Sequence, residues 1–286
     1  MNAPESNNSY APKQALKPTP GLYGELVGDG MEKLALASFS CIDLSSSAKV
    51  ILHDVGCGLG AATAAFVAAS DNKNIRIVGS DVDENVIKLY REQIEKNNWP
   101  AEGVRADATA HTFEHEYFTH AIGNALLFVL PDDGIDAIKE MHRTLKPDGI
   151  AIFNSWAYVP TLPAIVAASQ KTRPIGTPLP RQGLEKWESD EFLRSVIVQG
   201  GFVPDNIELA KKDVYVTVGE LKHFATMLWS FIGGTSSVGW LKSDEGNWDE
   251  AIDTVVEELK RSEGFEALEG GKNKIMFKAH VAVARK

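Results

Sequence analysis

The chain is short of cysteine, of basic residues and of long apolar runs. Two cysteines, Cys41 and Cys57, stand among 286 residues, too few for a disulfide framework and suited to a reducing compartment. Lys plus Arg number 29 against 39 Asp plus Glu, for a formal net charge of −10. Gripping nucleic acid or anionic lipid requires clustered cations to neutralise phosphates, so the balance counts against both as main partners and leaves room only for a small local basic site. No apolar run approaches the roughly 20 residues needed to cross a bilayer. The opening stretch MNAPESNNSYAPKQALKPTP has no apolar centre of the kind a secretory leader carries. These absences predict a soluble cytoplasmic protein whose partner is a small molecule, with no nucleic acid and no membrane.

What is present suits a packed core: 44% of residues are apolar and 24% charged, close to the globular average. Residues 1–21, with Pro4, Pro12, Pro18 and Pro20, read as a mobile tail. Residues 22–46 suit short N-terminal helices. From there strands and helices alternate: VILHDV at 50–55, a small-residue helix at 61–70, IRIVGS at 75–80, a helix at 83–97 with Ile87, Tyr90 and Ile94 on one face, and a short strand near 103–106. A loop leads to a strand at 118–124, a helix at 132–145 and IAIF at 150–153. Helices of this length between strands predict right-handed crossovers and a parallel, doubly wound α/β sheet. Further on, 191–202 reads as a helix, while 213–218 and 274–286 read as strands. Residues 219–273 between those strands carry helical patterns at 219–231 and 247–262.

The chemistry is concentrated in His53-Asp54-Val55-Gly56-Cys57-Gly58-Leu59-Gly60, between a strand and a helix. Glycines let the main chain turn sharply and come close to a ligand, and the helix that follows offers unpaired N–H groups. Gly56, Gly58 and Ala61 also satisfy a dinucleotide fingerprint. Asp54, two residues before the first glycine, is unhelpful beside a pyrophosphate and suited to a cationic amino-acid group. Asp81, at the end of the next strand, is placed to accept both hydroxyls of a ribose; capping the next helix is its plainer alternative and the main role read for Asp83. Asp107 follows the third strand, where an adenine edge is expected in this layout; a solvated loop acid is the bland alternative.

As a set, HDVGCGLG at 53–60, GSDVDE at 79–84, RADA at 105–108, GNALLFVLPD at 123–132 and RTLKPDGIAIF at 143–153 resemble the seven-stranded class I S-adenosylmethionine-dependent methyltransferases. GGF at 200–202 and the terminal HVAVARK fall where that family has a helix end and its last strand. The resemblance covers about 50–218 and 274–286 and implies a Rossmann-like sheet whose last strand is antiparallel. It makes 22–286 a single methyltransferase domain, with a helical substrate lid at 219–273. The cofactor it implies is S-adenosylmethionine, leaving as S-adenosylhomocysteine. By the same resemblance Asp54, Gly56, Gly58 and Gly60 hold the methionine portion, Asp81 with Val82 the ribose, and Asp107 with Ala108 the adenine. Asn124 faces the methionine end, and Tyr23 from the N-terminal helices joins the cofactor set. Two departures stand out: Asp148 replaces the first glycine of the family's LKPGG stretch, and His53 stands where the family has an apolar residue.

The acceptor is less legible. The Asp/Asn-Pro-Pro-Tyr/Phe signature of base- or amide-nitrogen methylation is missing; Gly123-Asn124-Ala125-Leu126 stands in its place. His111, His115 and His120 lie in a loop rather than on one rigid face, so no metal site is expected. His223 is a candidate general base, with a surface or packed histidine as the alternative. Trp156 and Tyr158, after the fifth strand, and Trp229, Phe231 and Trp240, in the insertion, are candidates to line an apolar substrate pocket; helically spaced aromatics can equally be core. Length and layout resemble fungal secondary-metabolism methyltransferases, including those that S-methylate gliotoxin-like dithiols. N- or O-methylation of an alkaloid, phenol or polyketide is the enzymatic alternative. A non-catalytic regulatory binding protein is the alternative of another class, and an NAD-dependent dehydrogenase lacks any hydride-transfer signature.

Overall fold

A computed structural model describes residues 10–45 and 48–286. The chain divides into two compact units. One comprises Met1–Gly30, Tyr158–Glu185 and Tyr215–Phe277, the other Met31–Ala157, Lys186–Val214 and Lys278–Lys286.

In chain order the elements are α1 (Pro20–Val27), α2 (Gly30–Phe39), β1 (Val50–Val55), α3 (Ala61–Ala69), β2 (Ile75–Asp81), α4 (Glu84–Asn97), β3 (Ala101–Arg105) and β4 (Phe118–Gly123). There follow α5 (Ile135–Thr144), β5 (Leu145–Tyr158), α6 (Thr161–Thr172), α7 (Asp190–Gln199), β6 (Ile207–Val218), α8 (Leu221–Ile232), α9 (Lys242–Gly246), α10 (Trp248–Arg261), β7 (Glu266–Ala267) and β8 (Asn273–Arg285). The strands form one sheet in the order β3-β2-β1-β4-β5-β8-β6, the two-residue β7 pairing with β8 off this path. β1 runs parallel to β2 and β4, β2 to β3, and β4 to β5. The chain reverses in β8, since Lys286, just past its end, exchanges hydrogen bonds with Asp148 and Gly149 near the start of β5 (3.2 and 3.0 Å). The doubly wound sheet with an antiparallel last strand is therefore present, with β7 as an eighth, minimal strand.

Strand β1 is buried along its whole length, as a central parallel strand covered on both faces must be. Its Val50 and Leu52 enter a core with Ala62, Ala65, Phe66, Ile77, Ile122, Ile152 and Val281, closed by Ala35 and Phe39 of α2. Phe39 and Phe66 meet edge to face at 5.1 Å. The odd position His53 lies among Phe118, Phe113 and His111.

β5 begins earlier and ends later than the IAIF core predicts, and Trp156 and Tyr158 are its last residues rather than residues after it. Its pairing with β4 jumps from Phe118↔Leu145 to His120↔Ile150, so Lys146–Gly149 bulges out. Asp148 occupies a left-handed conformation there (φ 62°), a region that Asp visits more readily than most L-residues.

The other unit is mainly helical. Residues 1–9 of the segment read as a mobile tail lie outside the described residues. Residues 10–19 are tied down: Tyr10 Oη donates to Glu245 (2.8 Å), Lys13 pairs with Glu245 (3.0 Å), and the Leu16 amide donates to Ser230 Oγ (3.0 Å). α6, which the sequence-based reading lacks, packs with α8 and α10. Arg173, just beyond α6, forms a two-bonded ion pair with Asp244 at 2.8 Å for each bond. Both side chains are fully enclosed, and the guanidinium lies over the rings of Trp229 and Trp240.

Candidate active site

At the carboxyl end of β1 the chain must leave a fully buried strand and start α3 within five residues. Gly56, Gly58 and Gly60 make this turn in left-handed conformations (φ 66°, 52° and 89°), where a Cβ costs about 1–2 kcal/mol. Their surroundings differ. A Cβ on Gly56 would meet Leu126 at 2.6 Å and one on Gly60 would meet Trp99 at 2.7 Å, whereas nothing lies within 4 Å of a Cβ on Gly58. Two of the glycines serve packing, and the middle one opens onto free space at the strand edge.

Asp54 is 1% exposed. Its Oδ2 accepts from the Thr63 amide (3.0 Å) and from Thr63 Oγ1 (2.8 Å). Thr63 is the third residue of α3, so a carboxylate from the preceding strand does what an N-cap side chain usually does. Burial nevertheless raises the Asp54 pKa to about 6; the two Thr63 bonds oppose that rise and the nearby Asp81 charge adds to it. A buried acid of this kind gains from a cation.

Asp81 ends β2, half-buried. Its Oδ2 accepts from the Gly58 amide at 3.3 Å and its Oδ1 from the Asp83 amide at 3.1 Å. Capping of α4 falls to Asp83, which accepts from the Asn85 amide at 2.8 Å. Beside this acid two large apolar side chains remain in solvent, Leu59 at 54% and Val82 at 60% exposure. Asp107 is exposed, and its Oδ1 accepts from the Thr109 amide and hydroxyl (2.9 and 2.7 Å). Those bonds hold its carboxyl below the usual carboxylate range; Ala108 beside it is buried. One edge of the sheet thus presents, in order, a buried acid, an open glycine turn, a second acid, exposed apolar groups and a third acid.

Residues 52–149 match the family described as a methyltransferase domain. That segment carries a methyltransferase domain. Among curated proteins it is similar to the methyltransferase ktnA of Aspergillus niger, at 23% identity over 90% of this chain and 89% of that one. Among solved structures, the YcgJ protein of Bacillus subtilis shares the fold at TM-score 0.52 and 12% identity, over 89% of this chain and 97% of that one. Phosphoethanolamine N-methyltransferase 2 of Haemonchus contortus, solved with phosphomonomethylethanolamine and S-adenosylhomocysteine, shares it at TM-score 0.52 and 13% identity. That likeness covers 93% of this chain and 56% of the other.

The remaining predicted residues of the methyltransferase occupy different surroundings. Asn124 is engaged within the protein at both ends of its amide: its Nδ2 donates one bond to the Met31 carbonyl (3.0 Å) and its Oδ1 accepts one from Asn154 Nδ2 (2.8 Å). Asn154 also donates to Ser38 Oγ (2.9 Å) and accepts from the Ala125 amide (2.7 Å). The pair fastens α2 to the turn after β4. Trp156 is half-buried near the end of β5.

In the helical unit, Trp229 is fully enclosed against Trp240 (centroids 5.8 Å apart) and Arg173. The two tryptophans expected to line a pocket therefore surround a buried ion pair. Tyr23, expected at the cofactor, is 57% exposed and lies 6.0 Å from the Phe231 ring. His223 Nε2 is 2.9 Å from Glu25 Oε1, a pairing between α1 and α8. Tyr158 is half-buried and belongs to this unit.

Thr63 and Tyr90 escaped the sequence-based site. Thr63 sits among alanines in α3, and Tyr90 reads as one more core residue at helical spacing. A hydroxyl at each apolar-face position was the available signal.

Proposed function

We propose that this methyltransferase methylates a small, largely apolar acceptor. In this reading Asp54 and the Gly56–Gly60 turn hold the methionine portion of S-adenosylmethionine, Asp81 takes the ribose hydroxyls against Val82, and Asp107 with Ala108 flanks the adenine. The observation that carries it is Gly58: a left-handed glycine facing open space between two acids, with its amide on Asp81 at 3.3 Å. The residues fit the cofactor by chemistry. A buried acid with a raised pKa suits an ammonium, an acid at the end of β2 suits a diol, and Leu59 and Val82 suit the faces of a nucleoside.

Bound S-adenosylmethionine supplies a methyl carbon already activated by a sulfonium. The chain then has to align the acceptor, exclude water and, for a neutral acceptor, take a proton. The ends of β4 and β5 carry Asn124, Trp156 and Tyr158, none of which accepts a proton near neutral pH. That supports an acceptor that ionises on its own, and a thiol does so more readily than a phenol. S-methylation of a dithiol metabolite of the gliotoxin kind is the reading that follows. An N- or O-acceptor is the second reading, favoured by the His223–Glu25 pair, which orients an imidazole as a base pair would.

Two measurements test this. Calorimetric titration with S-adenosylhomocysteine should show binding that is lost in Asp81→Asn; no binding by the unaltered chain would sink the cofactor assignments. Incubation with S-adenosylmethionine and a panel of thiols, phenols and amines, read by mass spectrometry, should give a mass gain of one methyl on thiols. Transfer to phenols or amines alone, abolished in His223→Gln, would replace the first acceptor reading by the second.

A further inference from the structure

Tyr90 on α4 is completely buried, yet its hydroxyl is 2.7 Å from Thr63 Oγ1. Thr63 has one hydroxyl proton and directs it to Asp54 Oδ2, so Tyr90 donates and Thr63 relays. The order is Tyr90 Oη to Thr63 Oγ1 to Asp54 Oδ2, across three elements: α4, α3 and β1. The tyrosine ring reaches this position because Gly79 of β2 and Gly103 of β3 are register partners. A Cβ on Gly79 would lie 2.3 Å from the ring, and one on Gly103 would lie 3.0 Å from it. Two strands thus omit their side chains at one level of the sheet, and the ring fills the gap.

We propose that Tyr90 is a positioning residue for the cofactor: acting through Thr63, it commits one oxygen of Asp54 to α3 and leaves the other for the methionine ammonium. The proposal rests on the cofactor assignment above. Both Thr63 bonds to Asp54 end on Oδ2, and Oδ1 is the oxygen left for a ligand. Chained hydrogen bonds polarise one another in a low-dielectric interior, so the phenol strengthens the bond that Thr63 makes to the carboxylate and favours its charged form. The titratable groups facing Asp54 are Asp81 from β2, Cys57 from the turn and Tyr90 itself. Burial and the acids beside them push the thiol and the phenol up, so both stay neutral, and Asp81 alone adds charge. β4 contributes its register partner Ile122, which is apolar.

The test is the pH dependence of S-adenosylhomocysteine affinity, measured calorimetrically on the full chain between about pH 5.5 and 8 for the unaltered protein, Tyr90→Phe, Thr63→Val and Thr63→Ser. Affinity of the unaltered protein should rise with pH as Asp54 ionises. Tyr90→Phe keeps the ring over the glycine pair and removes one hydrogen bond, so binding near pH 6.5 should weaken about fivefold, the worth of a typical hydrogen bond, and the midpoint of the rise should move to higher pH. Thr63→Val should shift it at least as far, while Thr63→Ser, which keeps both bonds, should restore the original profile. An unshifted midpoint in Tyr90→Phe, or equal weakening at every pH, would overturn the proposal and leave the cofactor assignment standing. If Tyr90→Phe does not fold, the Thr63→Val and Thr63→Ser pair decides by the same criterion. Failure of the unaltered chain to bind at any pH would remove the cofactor assignment, and this proposal with it.

Discussion

Gly79 and Tyr90 are complementary in shape: the missing side chain of the one is the seat of the other, with 2.3 Å between a would-be Cβ and the ring. The glycine lies within a strand at a φ any residue can adopt, so its requirement comes from close approach rather than backbone conformation.

Gly79→Ala should therefore destabilise by about 2 kcal/mol, as overpacking of a full core does. It should also weaken S-adenosylhomocysteine binding by displacing the Tyr90 hydroxyl. Chemical denaturation checks the first outcome and calorimetry the second.

Gly58→Ala should separate these two effects in the other direction. Its φ is left-handed but its Cβ would meet nothing, so the stability cost should stay near 1 kcal/mol. Affinity for S-adenosylhomocysteine should fall by more than about tenfold, because a methyl group would stand where the ligand approaches the main chain. Unchanged binding would place the ligand elsewhere.

The histidines beneath the sheet edge should make the fold acid-sensitive. His111 is 7% exposed, with both ring nitrogens lacking a protein partner, and burial lowers its pKa to about 4. His53 is pushed well down by burial and by His111. Between about pH 6.5 and 4 the unfolded chain then binds more protons than the folded one, so stability falls as pH falls through that window. Asp54 has the opposite sign: raised to about 6, it contributes stability as pH drops from 6 towards the unfolded carboxylate value. His111→Leu should lose about 2 kcal/mol less than the unaltered protein between pH 7 and pH 5, read from denaturation midpoints at the two pH values.

In the helical unit, Arg173→Met should cost about 3–5 kcal/mol by stranding the Asp244 carboxylate between two tryptophans. Adding Asp244→Leu should recover much of that loss, since no unpaired charge remains buried. A double variant less stable than either single one would show that the pair itself is indispensable.

The parallel strands and the glycine turn were legible because both write their requirements locally, as apolar runs and as residues able to take left-handed conformations. The amide pair Asn124–Asn154 was not: the bonds that tie Asn124 to Met31 and Asn154 join residues about 30 and 90 positions apart. The roles of Trp229 and Trp240 turn on Arg173, far away in sequence, which makes an aromatic cluster into the casing of an ion pair. The spacing of Tyr90 with Ile87 and Ile94 shows its helix face, but its hydroxyl has meaning only once β2 and β3 align their glycines.

The position of β8 bears on how the chain acquires its structure. It is the last strand in sequence, yet it lies between β5 and β6. Until the 13 residues Asn273–Arg285 have been made, one side of β5 and the whole of β6 have no neighbour, and both expose unpaired backbone during synthesis. A growing chain should accordingly depend on chaperones until β8 has emerged, and ribosome-stalled chains ending before Asn273 should be more sensitive to protease than those that include β8.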